Sequence, residues 1–196
     1  MPAASVQKPF VEKPETYISV DVETAGPTPY EYSMISIGAC VVDDPESGFY
    51  VELKPTTDNV VESALAVSGL SMETLSADGL TPRDAMSQFE DWIQLVTPEG
   101  NAPIMVAFNA VFDWMFVDTY FHRFLGRNPF GHSAMDIKAY YLGYAGGTWA
   151  GTSMRVLSPL YLGGQHLTHN ALGDARDQAN IFRQVKAEAD AKRTSG

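Results

Sequence analysis

Two carboxylates one residue apart stand in the stretch ISVDVETAG, residues 18–26, at Asp21 and Glu23. Ile18, Val20 and Val22 alternate with them, the period of a half-buried strand, so both acids face the same side of it. Two such charges about 4 Å apart repel by roughly 4 kcal/mol at an effective dielectric of about 20. A cation between them removes that penalty. Further acids sit on apolar elements: Asp113 lies inside VFDWMFV, where an unpaired charge is costly to bury, and Asp174 lies in HNALGDA, five residues after His169. Four carboxylates without thiolates form a ligand set for hard divalent cations such as Mg²⁺ or Mn²⁺. Two such ions about 3.5–4 Å apart serve phosphodiester hydrolysis, activating the water and stabilising the leaving oxygen. An imidazole, which ordinarily titrates near neutral pH, suits the base that takes the water's proton. His169 is placed for that role, and His166 competes with it.

Each of these residues also has a plainer reading. Asp21 and Glu23 could mark a solvated strand edge, and Asp113 and Asp174 could be first-turn acids favoured by the helix dipole. Asn109 serves as an N-cap, a role compatible with touching a ligand. Asp136 reads as a structural cap, Trp114 as core, Asp177 as solvated, and His122 and His132 as surface or packing residues.

The elements that must position these side chains follow from periodicity. TYISVDVE, SMISIGACVVD and GFYVELKP read as three successive strands, an antiparallel meander with DDPESG as a hairpin connection. NVVESALAVSGLSMETL reads as a short helix, a break at Gly69 and a further turn. Thr81, Pro82 and the stripe Ala85, Phe89, Trp92, Ile93 and Val96 define a longer amphipathic helix. PIMVAF is a continuously apolar strand suited to a sheet centre, and Asn109 is placed to cap the helix AVFDWMFVDTYFHRFLG. SAMDI predicts a fifth strand leading into KAYYLGYA, GYAGGTWAGT a loop, and SMRVLSPLYLG a helix broken around Pro159. ALGDARDQANIFRQVKAEADAK closes the chain as a helix with Ala175, Ala179, Phe182, Val185 and Ala189 on one face. Strands first, then strands alternating with helices, give an α/β layer with a mixed sheet. One domain over residues 15–192 is expected, with residues 1–14 a flexible lead-in and 193–196 a mobile tail.

The 196 residues are 45% hydrophobic, ample for a core, and carry a formal net charge of −11. That charge argues against gripping long duplex nucleic acid through a broad basic face, while a small substrate held by cations is compatible with it. The single cysteine, Cys40 in MISIGACVV, cannot form an intramolecular disulfide and reads as a buried thiol. Neither a signal-peptide apolar region nor the roughly 20 apolar residues of a membrane span is found, so a soluble, cytoplasmic protein with no membrane partner is expected.

VDVETAG, AFNAVFD and HNALGDA resemble, in order, the three motifs of the DEDDh 3′–5′ exonucleases. That family includes RNase T, oligoribonuclease and the proofreading subunits of bacterial replicative polymerases, and within it RNase T looks nearest. The matching positions are Asp21, Glu23 and Thr24, then Asn109 and Asp113, then His169 and Asp174. Val67, Gly69, Leu70 and Ser71 match a further family segment, and Asp136 the acid after the fifth strand. The resemblance spans Tyr17 to Lys186 and implies an RNase H-like fold, a five-stranded mixed sheet flanked by helices. It implies two ions, Mg²⁺ or Mn²⁺, per active site: one held by Asp21, Glu23 and Asp174, the other shared by Asp21 with Asp113. It makes His169 the base, sets Leu70 as a wedge against the terminal base, and brings the backbone near Thr24 and Ala25 to the terminal sugar. Tyr30 and Tyr32, in the loop GPTPYEYS, are candidates for base stacking, and Arg123, Arg127 and Arg155 for phosphate contact. The implied activity is hydrolysis at single-stranded RNA or DNA 3′ ends, releasing nucleoside 5′-monophosphates. The alternatives are proofreading beside a separate polymerase and a non-catalytic nucleic-acid-binding or scaffold role. Relatives such as RNase T act as dimers, which raises a homodimer.

Overall fold

The computed structural model describes residues 12–164 and 169–194. Its strands are β1 (Glu15–Thr24), β2 (Met34–Val41), β3 (Asp44–Glu52), β4 (Ala102–Ala107) and β5 (Met135–Asp136). Its helices are α1 (Glu62–Ser68), α2 (Met72–Asp78), α3 (Pro82–Val96), α4 (Ala110–Leu125), α5 (Ile137–Ala145), α6 (Met154–Tyr161) and α7 (Ala171–Thr194), with a 3-10 turn at Trp149–Thr152. The sheet runs β3-β2-β1-β4-β5. β1 pairs antiparallel with β2 and β2 with β3, whereas β1–β4 and β4–β5 are parallel. This is the mixed five-stranded sheet expected. Among the described residues no helix is long and apolar enough to cross a membrane.

Alternation along β1 divides the core. Ile18, Val20 and Val22 pack with Phe89 of α3 and Phe116, Val117 and Tyr120 of α4. A second apolar cluster gathers Cys40 and Val106 with Ile137 of α5, Leu157 of α6 and Ala179, Phe182 and Val185 of α7. Full burial of Phe89, Phe116, Phe121 and Phe182 contributes roughly 1.5–3 kcal/mol for each ring. Ala175, Ala179, Phe182, Val185 and Ala189, the predicted apolar face of the last helix, are all buried.

Several local expectations are corrected. DDPESG is no hairpin loop: β3 starts at Asp44, and a register irregularity between Cys40 and Val41 accommodates the extra residues of an edge strand, where Pro45 costs no ladder bond. GYAGGTWAGT is only in part a loop, since α5 continues to Ala145 and Trp149–Thr152 forms the 3-10 turn. α6 is not broken at Pro159 but runs through it. Asn109 occupies the N-cap position of α4 but makes no side-chain cap bond, and its backbone is left-handed at φ 66°. Asp136 caps instead, accepting the Ala110 N–H at 2.6 Å and the Ala139 N–H at 2.7 Å, so one carboxylate fixes where α4 and α5 begin.

Candidate active site

The acids converge because strand pairing, one glycine and two helix starts bring them to one end of β1. Asp21 pairs with Gly38 in the β1–β2 ladder. A Cβ on Gly38 would lie 2.1 Å from backbone atoms of Ala171 and Leu172, so the bare glycine lets the start of α7 rest on the sheet beside Asp21. Asn170 accepts the Gly173 N–H at 3.1 Å, and Asp174, in the first turn of α7, reaches back to accept the His169 N–H at 3.1 Å. Asp113 arrives from the other side. Pairing of β1 with β4 ends at Ser19–Val106, so the Val22 N–H lies beyond the ladder, and Asp113 Oδ1 accepts it at 3.2 Å. Glu23, His169 and Asp174 each offer a ligand atom within 4.8 Å of the others.

The electrostatics of this end are those of crowded negative charge. Asp113 and Asp174 are 5% and 2% exposed. Burial, followed by the charges of Asp113, Glu23 and Asp174, drives the Asp21 carboxyl well above the usual range, against a hydrogen bond from Gln178 that lowers it. Burial and then Asp174 push Glu23 up to about 7. Asp113 is likewise raised by burial, with the Val22 N–H opposing. Among the described residues no lysine or arginine ion-pairs with Asp21, Glu23 or Asp113. An oxygen-rich donor set whose own electrostatics call for positive charge fits divalent cations.

Gln178 was not anticipated. Its Nε2 donates to Asp21 Oδ1 at 2.6 Å while its Oε1 accepts the Phe108 N–H at 2.8 Å, tying α7 to β1 and to the end of β4. The signal was a polar residue at i+4 from Asp174, inside the otherwise apolar stripe of α7. A groove of about 530 Å³ was also missed: it runs beside Glu23 and is lined by Val22, Thr24 and Pro27, by Val61 and Val67, and by Phe112 of α4.

The remaining predicted positions scatter around this centre. Thr24 turns inward, its hydroxyl donating to Gly26 O at 2.9 Å. Ala25 gives its N–H to Ser33 and accepts from Val61, so its backbone is committed within the fold. Leu70 is half-buried against the cluster of Ala25, Ile35 and Leu75. Tyr32 packs against Gly26, where a Cβ would meet its ring at 2.3 Å, whereas Tyr30 is 68% exposed with the Arg123 guanidinium 5.8 Å from its ring centroid. Arg127 is taken by Glu90. Asp177 is half-buried rather than solvated, and His166 lies outside the described residues.

A family model described as Exonuclease matches residues 18–182. The chain is 45% identical over 179 residues to the 3′-5′ DNA exonuclease Cap18 of Escherichia coli, covering 91% of this chain and 96% of that protein. Among solved structures, the nuclease domain of 3′hExo, a DEDDh family member, bound to rAMP, superposes with a TM-score of 0.71 at 14% identity, covering 89% of this chain and 94% of that one. E. coli exonuclease I in its zinc-bound complex with single-stranded DNA gives 0.67 at 21% identity, over 90% of this chain and 41% of that one. The two structures share the RNase H-like architecture, and the family match and the E. coli relative supply the lineage. The chain is a 3′–5′ exonuclease of the DEDDh family.

Proposed function

We propose that this enzyme removes nucleotides from the 3′ ends of single-stranded nucleic acid as nucleoside 5′-monophosphates, using two Mg²⁺ or Mn²⁺ ions. Asp21, Glu23 and Asp174 would hold one ion, and Asp21 with Asp113 the other. When bound, such ions supply Lewis-acid stabilisation of the charge that develops on the phosphoryl oxygens. The residues of the chain do the rest. His169 takes the proton of the attacking water, its backbone fixed by Asp174 and a nitrogen of its exposed imidazole within 4.8 Å of carboxylate oxygens of Glu23 and Asp174. Gln178 keeps Asp21 oriented, a supporting bond of the kind that holds a ligating carboxylate in place. The groove between β1, α1 and Phe112 has room for the terminal nucleoside, with Phe112 and Val67 as apolar walls for its base. Tyr30 is exposed for stacking; Tyr32, packed on Gly26, is kept only as a wall of the first-motif loop.

The observation that carries this reading is the convergence of four carboxylates on one end of β1, with no lysine or arginine among the described residues ion-paired to Asp21, Glu23 or Asp113. DNA is the preferred substrate proposed, supported by the E. coli relative named a DNA exonuclease. End-labelled single-stranded DNA, single-stranded RNA and duplex DNA, each incubated with Mg²⁺, Mn²⁺ or chelator, test it. Stepwise shortening from the 3′ end with 5′-monophosphate products, abolished by chelator, is expected. Nucleoside 3′-monophosphates or full activity in chelator would refute it.

A further inference from the structure

We propose that Lys138 and Trp149 form a strand-binding platform at the rim of the active site, where one base of a single-stranded substrate stacks on the indole while a neighbouring phosphate meets the lysine ammonium. The proposal rests on the exonuclease reading above and extends it to residues outside the three motifs. Trp149, at the start of the 3-10 turn, is 52% exposed. Lys138, in the first turn of α5, holds its Nζ 4.2 Å from the Trp149 ring centroid and 5.9 Å from that of Phe108. Among the described residues Lys138 forms no ion pair with a carboxylate, in a chain of net charge −11 whose Arg127, Arg176, Lys186 and Arg193 are each engaged by an acid.

Position links this pair to the chemistry. Phe108 directly follows β4 and Lys138 lies two residues beyond β5; both strands run parallel to β1, so these side chains emerge at the edge of the sheet where Asp21 and Glu23 lie. The Phe108 amide is bound by Gln178, whose other end holds Asp21. A strand approaching four carboxylates is repelled unless cations stand along its path. An ammonium over one face of an indole leaves the opposite face open to a base, and stacking of this kind tolerates any sequence.

The test compares the intact protein with Trp149→Ala, Trp149→Phe and Lys138→Ala on a long single strand and on a dinucleotide. Loss of one stacked base in Trp149→Ala is expected to cost the long strand about tenfold, falling on KM rather than kcat, and Trp149→Phe restores most of it. The ratio of kcat/KM for the long strand over the dinucleotide falls with it. Lys138→Ala flattens the salt dependence of strand binding, lowering the slope of log K against log salt by about 0.7. Wild-type KM in Trp149→Ala, or an unaltered salt slope in Lys138→Ala, overturns the platform. If the wild-type protein cleaves neither substrate, the exonuclease reading fails on its own. Anisotropy of a labelled strand in chelator then decides the platform, weakened binding in Trp149→Ala supporting it and wild-type binding refuting it.

Discussion

Glu90 on α3 and Asp21 on β1 both carry a carboxylate into packed surroundings, and the fold treats them in opposite ways. Glu90 is 5% exposed and receives both prongs of Arg127, Nε at 2.7 Å and Nη2 at 2.6 Å, a fork-to-fork pair supplied by the chain itself. Asp21 has acids for neighbours, namely Asp113, Glu23 and Asp174, and among the described residues it is steadied by the neutral amide of Gln178 rather than by an ion pair. A buried acid that serves structure carries its counter-ion with it. A cluster of acids that crowd one another is favoured as carboxylates when positive charge comes from outside, which is how a fold reserves a place for metal and phosphate.

The comparison is broken most directly at the cluster. Asp21→Asn keeps an oxygen for Gln178 but removes a charged ligand, and exonuclease turnover is expected to fall by roughly a thousandfold or more, since Lewis-acid stabilisation is worth several kcal/mol and each 1.4 kcal/mol is tenfold. Single-turnover cleavage of end-labelled DNA measures it, and near-wild-type cleavage would show that the acids are not the working centre. His169→Ala is expected to lower kcat by roughly 10²–10⁴-fold, the span of general-base catalysis, while Mn²⁺ binding followed by calorimetry persists. Equal loss of binding and turnover would make His169 a ligand instead of a base. Gln178→Leu sharpens the contrast from behind the acids: roughly 10–100-fold in activity or metal affinity is the range for a residue that orients a ligand. A change below twofold would leave the Asp21–Gln178 bond a packing detail.

The local parts of this arrangement were legible in the sequence, and the parts that depend on distant contacts were not. D-x-E on an alternating strand and H-x₄-D at a helix start are short-range patterns, so the side to which Asp21 and Glu23 turn, and the setting of His169 before Asp174, follow from periodicity and capping chemistry. That Asp113 would reach the Val22 N–H depends on β4 ending its pairing early, which no window of sequence contains. Asn109 illustrates the limit: the residue type is right for a cap, but Asp136, brought in by the parallel β4–β5 pairing, takes the bond, and Asn109 adopts a left-handed backbone. The partnership of Glu90 with Arg127 spans 37 residues and was invisible for the same reason, so Arg127 read as a phosphate ligand. Gly38 lies inside the apolar strand SMISIGACVVD, and no local pattern there marks that the start of α7 rests on it.

The smallest expected effect tests the comparison without any catalysis. Burial holds the Glu23 carboxyl at about 7 against an ordinary 4.5, and Asp21 and Asp113 shift in the same direction. An acid whose folded pKa is raised binds its proton more tightly in the folded chain. Between about 4.5 and 7 the folded protein therefore holds more protons than the unfolded one, and stability falls as pH rises through that window. Thermal unfolding in chelator should show Tm declining across it, and Mn²⁺ should flatten the decline because an ion that binds only the folded state offsets the repulsion. Asp113→Asn retains an oxygen for the Val22 N–H while losing its charge, so it should raise Tm by a few degrees in chelator and reduce the pH slope. Glu90→Gln weakens the Arg127 pair and should lower Tm by a similar amount with the slope intact. Should both amides shift Tm in the same direction, the two regions would not differ in where their counter-charge comes from, and the crowded cluster would have to be explained by packing alone.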